Sequence, residues 1–270
     1  MMVPLPFPDA QSVNGCTLHT VRVPADRDGA PKLIFVNSLG CDLRIWSGVA
    51  QALNGAADML LYDKRGHGLS DIGSPPYTMR DHAADLIALI ESGTGPAHIC
   101  GLSIGGMIAM VAALERPDLI RSLILCDTAA RIGTAARYAA REAAIRAGGM
   151  DAFADQQKDR WFSAVFRRAR PEAVEVMRAM LVRQPFEGYL GSVAALRDTD
   201  LSAEVGAISV PTHCIVGRED ASTPPETVRA LAAAIPGARY TEIAGAGHLP
   251  PIEAPDALAA EIAAICEERV

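Results

Sequence analysis

The chain has no C-x-x-C pair, no regular cysteine spacing, no apolar run long enough for a bilayer and no surplus of positive charge. Each gap removes a class of protein. The six cysteines stand at 16, 41, 100, 126, 214 and 266. Three of them (Cys100, Cys126 and Cys214) fall inside apolar runs, where a thiol behaves as a small hydrophobe. A reduced, cytoplasmic setting suits them better than a disulfide scaffold. The longest apolar stretch, Ile104 to Leu114, is far short of the roughly 20 residues of a spanning helix, so no membrane partner is expected. MMVPLPFPDA at the start has neither a basic beginning nor a continuous apolar segment and does not read as a signal peptide. There is no H-E-x-x-H and no Cys/His cluster with ligand spacing. No G-x-G-x-x-G follows the first strand-like run, so neither a metal nor a nucleotide cofactor is expected. A net charge of −7 argues against nucleic acid as a partner.

What is present suits an α/β core carrying an insertion. Half of the 270 residues are hydrophobic, ample for a large core. Short β-rich apolar runs recur at 17–23, 32–37, 58–63, 97–102, 122–127, 210–216 and 239–243. Amphipathic segments at 44–54, 78–92, 104–116, 226–234 and 254–267 separate many of them. Several strands are apolar throughout, as they must be when helices cover both faces of a parallel sheet. The expectation is a mostly parallel, doubly wound sheet. The alternation fails between about 133 and 205, where helical segments follow one another. The chain is therefore divided into a core of 1–130 and 206–270 and a helical lid of 131–205. The segment from Arg131 to Arg183 holds eleven Lys or Arg against six Asp or Glu, a net +5 that leaves −12 for the rest. The lid is a basic island on an acidic body.

Gly101-Leu102-Ser103-Ile104-Gly105 follows an apolar strand and opens a helix. This is the setting of a nucleophile elbow, a turn so sharp that small residues must flank the serine. The Ile104 N–H and the positive helix end can stabilise a developing oxyanion. A serine hydroxyl needs a general base, which on this kind of scaffold comes last in the order Ser, acid, His. His98 and His213 lie within strands and read as core residues, His67 sits in the turn Arg65-Gly66-His67-Gly68, and His19 and His82 have no clear route to Ser103. His248 follows the last strand in a Gly-rich loop and is the base expected here. Asp220, just past the strand of THCIVGREDAST, is the acid expected to orient it. Glu219 points elsewhere. Asp127, which ends the strand before the lid, is the alternative acid.

With these residues in place the chain resembles the α/β-hydrolase superfamily over nearly its full length. LLYDKRGHGLSD (60–71) matches the D-x-R-G-x-G-x-S turn common there, with Asp63 and Arg65 as braces of nearby loops. The blocks NSLG (37–40), PYTMRDHAADL (76–86), GLSIGGMIAM, LCDTAARIGT (125–134), RWF (160–162), ALRDTDL (195–201) and GHLPPIEAP are together similar to the 3-oxoadipate enol-lactonases. That resemblance implies a cofactor-free serine hydrolase of aromatic-compound catabolism, opening the ring of a small anionic lactone to give 3-oxoadipate. It implies Leu39 and Ile104 as backbone donors to the oxyanion. A basic lid could attract the substrate carboxylate, with Arg131 and Arg160 as the expected contacts and Trp46 and Trp161 as pocket walls. Rival readings share the Ser103, Asp220 and His248 set: a general carboxylesterase or perhydrolase, and a ligand receptor of the same fold. Meta-cleavage C–C hydrolases match the opening turn and lid blocks poorly.

Overall fold

The computed structural model describes residues 9–267. Most of the stretch read for a signal peptide, residues 1–8, lies outside the described residues, as do 268–270 at the end of the expected core. Eight strands form one sheet: β1 (Asp9–Val13), β2 (Cys16–Val23), β3 (Lys32–Val36), β4 (Asp58–Tyr62), β5 (Ala97–Leu102), β6 (Ile120–Cys126), β7 (Thr212–Gly217) and β8 (Arg239–Ile243). Their order is β1-β2-β4-β3-β5-β6-β7-β8. β1 and β2 are antiparallel to their neighbours and the rest run parallel. The mostly parallel α/β sheet expected from the apolar runs is what forms.

Burial follows the sequence pattern. Every residue of β5 and of β7 is buried, so both faces of the central sheet are covered. The edge strand β8, RYTEI, buries only Ile243. Its polar residues keep that edge hydrated. The strand β1 has no counterpart among the runs read from the sequence. Its signal is the dipeptide Asn14-Gly15, with φ of 47° and 74°, the left-handed pair that closes a two-residue hairpin. DAQSV itself is too polar to register as a strand.

Six helices belong to the sheet: α1 (Ser47–Ala52), α2 (Met79–Leu89), α3 (Ile104–Glu115), α8 (Pro225–Ala234), α9 (Pro250–Glu253) and α10 (Pro255–Glu267). Between β6 and β7 run four more: α4 (Ala135–Trp161), α5 (Ala164–Ala169), α6 (Pro171–Val182) and α7 (Phe186–Asp198). Three of these four starts have a local cause. Thr134 and Ser163 accept the backbone N–H groups of Arg137 and Phe166, and Pro171 sits where a first-turn N–H has no partner to lose. α4 is kinked at Gly149, where φ is 79°. None of the helices among the described residues is long and apolar enough to cross a membrane.

The strand order reverses at β3: the chain moves to one side for β4 and to the other for β5. Such a reversal opens a crevice outside the carboxyl ends of the strands. The NSLG turn leaves β3 there, Ser103 leaves β5, Asp127 leaves β6, Asp220 follows β7 and His248 follows β8.

One buried ion pair ties the hairpin to this edge. Arg65 donates from Nε and Nη2 to the two oxygens of Asp85, both at 2.6 Å, and Asn14 Nδ2 donates to Asp85 Oδ1 at 3.1 Å. Removing one member of such a pair strands the other charge in a poor solvent. Asp85→Ala is therefore expected to lower unfolding stability by about 3–5 kcal/mol, measured by urea denaturation, with the midpoint falling and the slope unchanged.

Candidate active site

Ser103 has φ 58° and ψ −118°, a conformation that L-residues rarely adopt and that turns the side chain away from both strand and helix. Two close backbone approaches impose it. A Cβ on Gly101 would lie 2.3 Å from Gly105 O, and a Cβ on Gly105 would lie 2.2 Å from Val36 O. Only glycine lets β5, α3 and β3 meet so closely. The Ser103 N–H donates to Cys126 O at 2.9 Å, and Thr128 Oγ1 donates to Ser103 O at 2.7 Å. The serine is thus held by β6 as well as by its own turn.

His248 Nδ1 lies 2.8 Å from Asp220 Oδ2. Asp220 also accepts from Thr223 Oγ1 at 2.7 Å and from the backbone N–H of Ser222 at 2.6 Å. Burial pushes the Asp220 carboxyl up, but the facing His248 and these donors outweigh it and hold the group below the usual carboxylate range. A charged Asp220 favours the proton of His248 on Nδ1 and leaves Nε2 free to accept one. The backbone of the His248 loop is stapled to the lid: the His248 N–H donates to Trp161 O at 2.9 Å, and Glu253 accepts from Gly247 N–H and Ser163 N–H at 2.7 and 3.0 Å.

The alternative acid plays a different part. Asp127 Oδ1 accepts the Gly217 N–H at 2.9 Å, while Oδ2 is buried without a hydrogen-bond partner among the described residues. Burial, then the neighbouring charge of Asp220, raises its pKa well above the ordinary range. One donor atom from each of Asp127, Asp220 and His248 lies within 4.8 Å of the others. A cation could use the set only by giving up the Asp220–His248 bond.

The other histidines are engaged elsewhere. His19 Nδ1 pairs with Asp63 Oδ2 at 2.8 Å, His98 Nδ1 with Ser122 Oγ at 2.8 Å, His82 Nε2 with Ser192 Oγ at 3.1 Å and His213 Nε2 with Thr241 Oγ1 at 2.8 Å. His67 Nε2 accepts the Gly40 N–H at 3.0 Å.

Ser103 and His248 line one narrow, partly open cavity of about 30 Å³ together with Ser38, Leu39, Ile132, Arg137, Tyr138, Arg141, Gln157, Trp161, Tyr189, Leu196 and Ser222. That holds little more than a water or two, so a substrate must displace lid side chains to enter. A wider groove of about 710 Å³ runs along α6 between Arg44 and Ile252. It reaches neither Ser103 nor His248 and is remote from this chemistry. The expected wall residue Trp161 and the expected donor Leu39 are in the lining, and Ile104 N–H opens α3 beside Ser103.

Two expected contacts require correction. Trp46 is fully buried beneath the site, its indole N–H donating to Asn37 Oδ1 at 3.0 Å; it supports the NSLG turn rather than walling the cavity. Arg131 is half exposed and paired with Asp200 at 3.0 Å, outside the lining. Arg160 stays close: its carbonyl accepts from Ser222 Oγ at 3.3 Å, and its Nε is buried with no hydrogen-bond partner among the described residues. The cations in the lining are Arg137 and Arg141, each counted in the basic island but not singled out. Their spacing of four on α4 was the available signal, since it puts both on one helix face.

The chain matches the model of the alpha/beta hydrolase family over residues 33–261. It is 33% identical over 234 residues to 3-oxoadipate enol-lactonase 2 of Acinetobacter baylyi, covering 86% of both chains. It is 28% identical over 232 residues to RutD of Klebsiella pneumoniae, a protein named for carbamate hydrolysis, covering 83% of this chain and 87% of that one. The crystal structure of the enol-lactonase from Burkholderia xenovorans LB400 superposes with a TM-score of 0.92 at 35% identity, over 96% of this chain and 100% of that one.

The two carboxyls separate by substitution. Asp220→Asn, which reverses the proton requirement of His248, is expected to lower kcat by about 10⁴-fold. Asp127→Asn keeps an acceptor for Gly217 and a donor toward Asp220, and is expected to stay within about 10-fold of wild type. Because the Asp127 pKa is raised on folding, its contribution is intact below the unfolded value of about 4 and lost as pH rises through the folded value. Urea melts from pH 4 to 8 should show Asp127→Asn gaining stability over wild type as pH increases.

A strained serine on a strand-to-helix elbow, lining one cavity with a histidine held by a buried carboxylate at the carboxyl edge of a mostly parallel sheet, agrees with these matches: the chain belongs to the alpha/beta hydrolase family, with enol-lactonases among its relatives.

Proposed function

We propose that this protein is a serine hydrolase that opens the ring of 3-oxoadipate enol-lactone, or of a close anionic analogue, through Ser103, His248 and Asp220. The observation that carries the substrate class is the charge of the cavity. Arg137 and Arg141 line it, Arg160 adjoins it, and none of the three has an ion-pair partner among the described residues. Burial, then the charge of Arg141, lowers the Arg137 pKa; burial, then Arg137 and Arg141, lowers that of Arg160. Clustering like charges without anions costs free energy that an arriving carboxylate recovers. The remaining groups, Tyr138, Tyr189, Leu196 and Trp161, form apolar walls suited to a small ring.

In this reading the carboxylate binds to the arginines and sets the lactone carbonyl over Ser103. Ser103 Oγ attacks the carbonyl carbon as His248 Nε2 takes its proton, and the oxyanion meets the N–H groups of Leu39 and Ile104. Collapse breaks the bond to the ring oxygen, which takes the proton from His248 and leaves as an enol. The enol tautomerises to the ketone, so ring closure is disfavoured. Water then gives a proton to His248 and its oxygen to the acyl carbon, releasing 3-oxoadipate and restoring Ser103. Enol-lactonase relatives support the substrate. A general esterase would use the same three residues but gain nothing from the arginines.

Wild type and Ser103→Ala assayed on the enol-lactone and on phenyl acetate test this reading. Wild-type turnover of both, abolished in Ser103→Ala, is expected. Arg137→Ala and Arg141→Ala should each lower kcat/KM on the lactone roughly 10- to 100-fold, the worth of a hydrogen bond to a charged group. They should barely change it on phenyl acetate, and Arg131→Ala should change neither. Equal losses on both esters would refute the anion site. A wild type that cleaves aryl esters and ignores the lactone would leave only the esterase.

A further inference from the structure

Lys64 is 1% exposed and has no carboxylate within ion-pair distance among the described residues. Burying an ammonium without a counter-ion is costly, and nothing in the hydrolysis described above uses it. Its Nζ donates to the carbonyl oxygen of Ser38 at 2.7 Å. Ser38 O and Leu39 N–H are the two ends of one peptide unit, and they point in opposite directions across its plane. A cation seated on the oxygen therefore fixes where the N–H points and draws electron density from it, making it a stronger donor.

The rest of the NSLG turn is secured from other sides. Asn37 Nδ2 donates to Tyr62 O at 2.9 Å, Gly40 N–H to His67 Nε2 at 3.0 Å and Leu43 N–H to Asp63 Oδ1 at 2.7 Å. Ser38 O also accepts a longer bond of 3.3 Å from Cys41 N–H, which closes the turn. These bonds place the loop as a whole. The Lys64 contact is the short one on the peptide that faces the cavity.

We propose that Lys64 is a positioning residue for hydrolysis: its hold on the Ser38 carbonyl orients and polarises the Leu39 N–H toward the oxyanion. The inference rests on the reading of Ser103 as nucleophile and Leu39 as oxyanion donor. The groups around the ammonium accord with it. Cys41, Asp42 and Asp63 face it from the turn and the end of β4, and burial, then the charge of Lys64, pushes the pKa of His67 and of His82 well below the usual histidine range. Burial pushes the Lys64 pKa down to about 7, so the lysine keeps its place here at a cost that a merely apolar filler would not incur.

The test uses the full chain with phenyl acetate, a neutral ester that makes no demand on the lid arginines. Active sites are counted by titration with a fluorophosphonate, which removes any unfolded fraction of Lys64→Met or Lys64→Gln. Losing an oxyanion donor outright costs about 10²- to 10³-fold in kcat, so loss of the group that aims one is expected to cost about 10- to 100-fold. KM should stay within about twofold, because the ground-state carbonyl does not use the donor fully. Affinity for benzeneboronic acid, which forms a tetrahedral adduct on a serine hydroxyl, should fall by a similar factor. Wild-type kcat per titrated site with wild-type boronate affinity would overturn the role of Lys64 and leave the nucleophile reading standing. Hydrolysis that persists in Ser103→Ala would overturn the nucleophile reading, and this inference with it.

Discussion

Ser103 can hold its left-handed backbone only because hydrogen atoms occupy the positions where Gly101 and Gly105 would otherwise carry a Cβ. A strained residue of this kind costs about 1–3 kcal/mol, and it persists where its surroundings leave no alternative. Here the surroundings are β5, α3 and β3 at backbone contact, with Cys126 and Thr128 of the β6 end bonded to the serine itself. The same close packing aims the hydroxyl at the carboxyl edge of the sheet. Loops from β3, β7 and β8 end at that edge because parallel strands all finish on one side. The strain at one residue and the direction of the whole sheet are therefore parts of one arrangement.

Electrostatics divides that edge into a balanced half and an unbalanced half. On the side of β6 and β7, Asp220 is compensated by His248 and by three donors, and burial beside Asp220 pushes the Asp127 carboxyl well above the ordinary range. On the lid side, Arg137 and Arg141 line the cavity and Arg160 adjoins it, with aromatic rings as neighbours and no ion-pair partner among the described residues. Arg141 lies over the rings of Tyr138 and Phe153 at 5.3 and 5.2 Å, which holds the guanidinium in place without neutralising it. Several basic residues elsewhere in the lid have surface partners: Arg178 with Asp151 and Asp155, Lys158 with Glu175, Arg146 with Glu142 and Glu187.

Much of this was legible along the chain. Apolar runs without alternation identified the parallel strands, because two covered faces leave no polar positions. The G-x-S-x-G turn between a strand and a helix identified Ser103, since the chemistry of the elbow forces small residues at set spacings. Chain order and the end of a late strand singled out Asp220 and His248. The hairpin strand β1 escaped because it is polar, although Asn14-Gly15 marked its turn. Trp46 was misplaced for a simple reason: an aromatic residue near a site motif can lie above the sheet edge or beneath it, and sequence distance is the same in both cases.

The sequence by itself determined the strand–helix alternation and the tight strand-to-helix turn that carries Ser103, both of which rest on local periodicity and on short motifs with stereochemical meaning. Tertiary structure decided which arginines line the cavity with Ser103, that Asp127 is buried beside Asp220, and that a lysine sits behind the NSLG turn. Those outcomes depend on how α4 docks over the sheet and on which charges share a buried volume. Both are set by contacts between residues dozens of positions apart, and no local pattern records them.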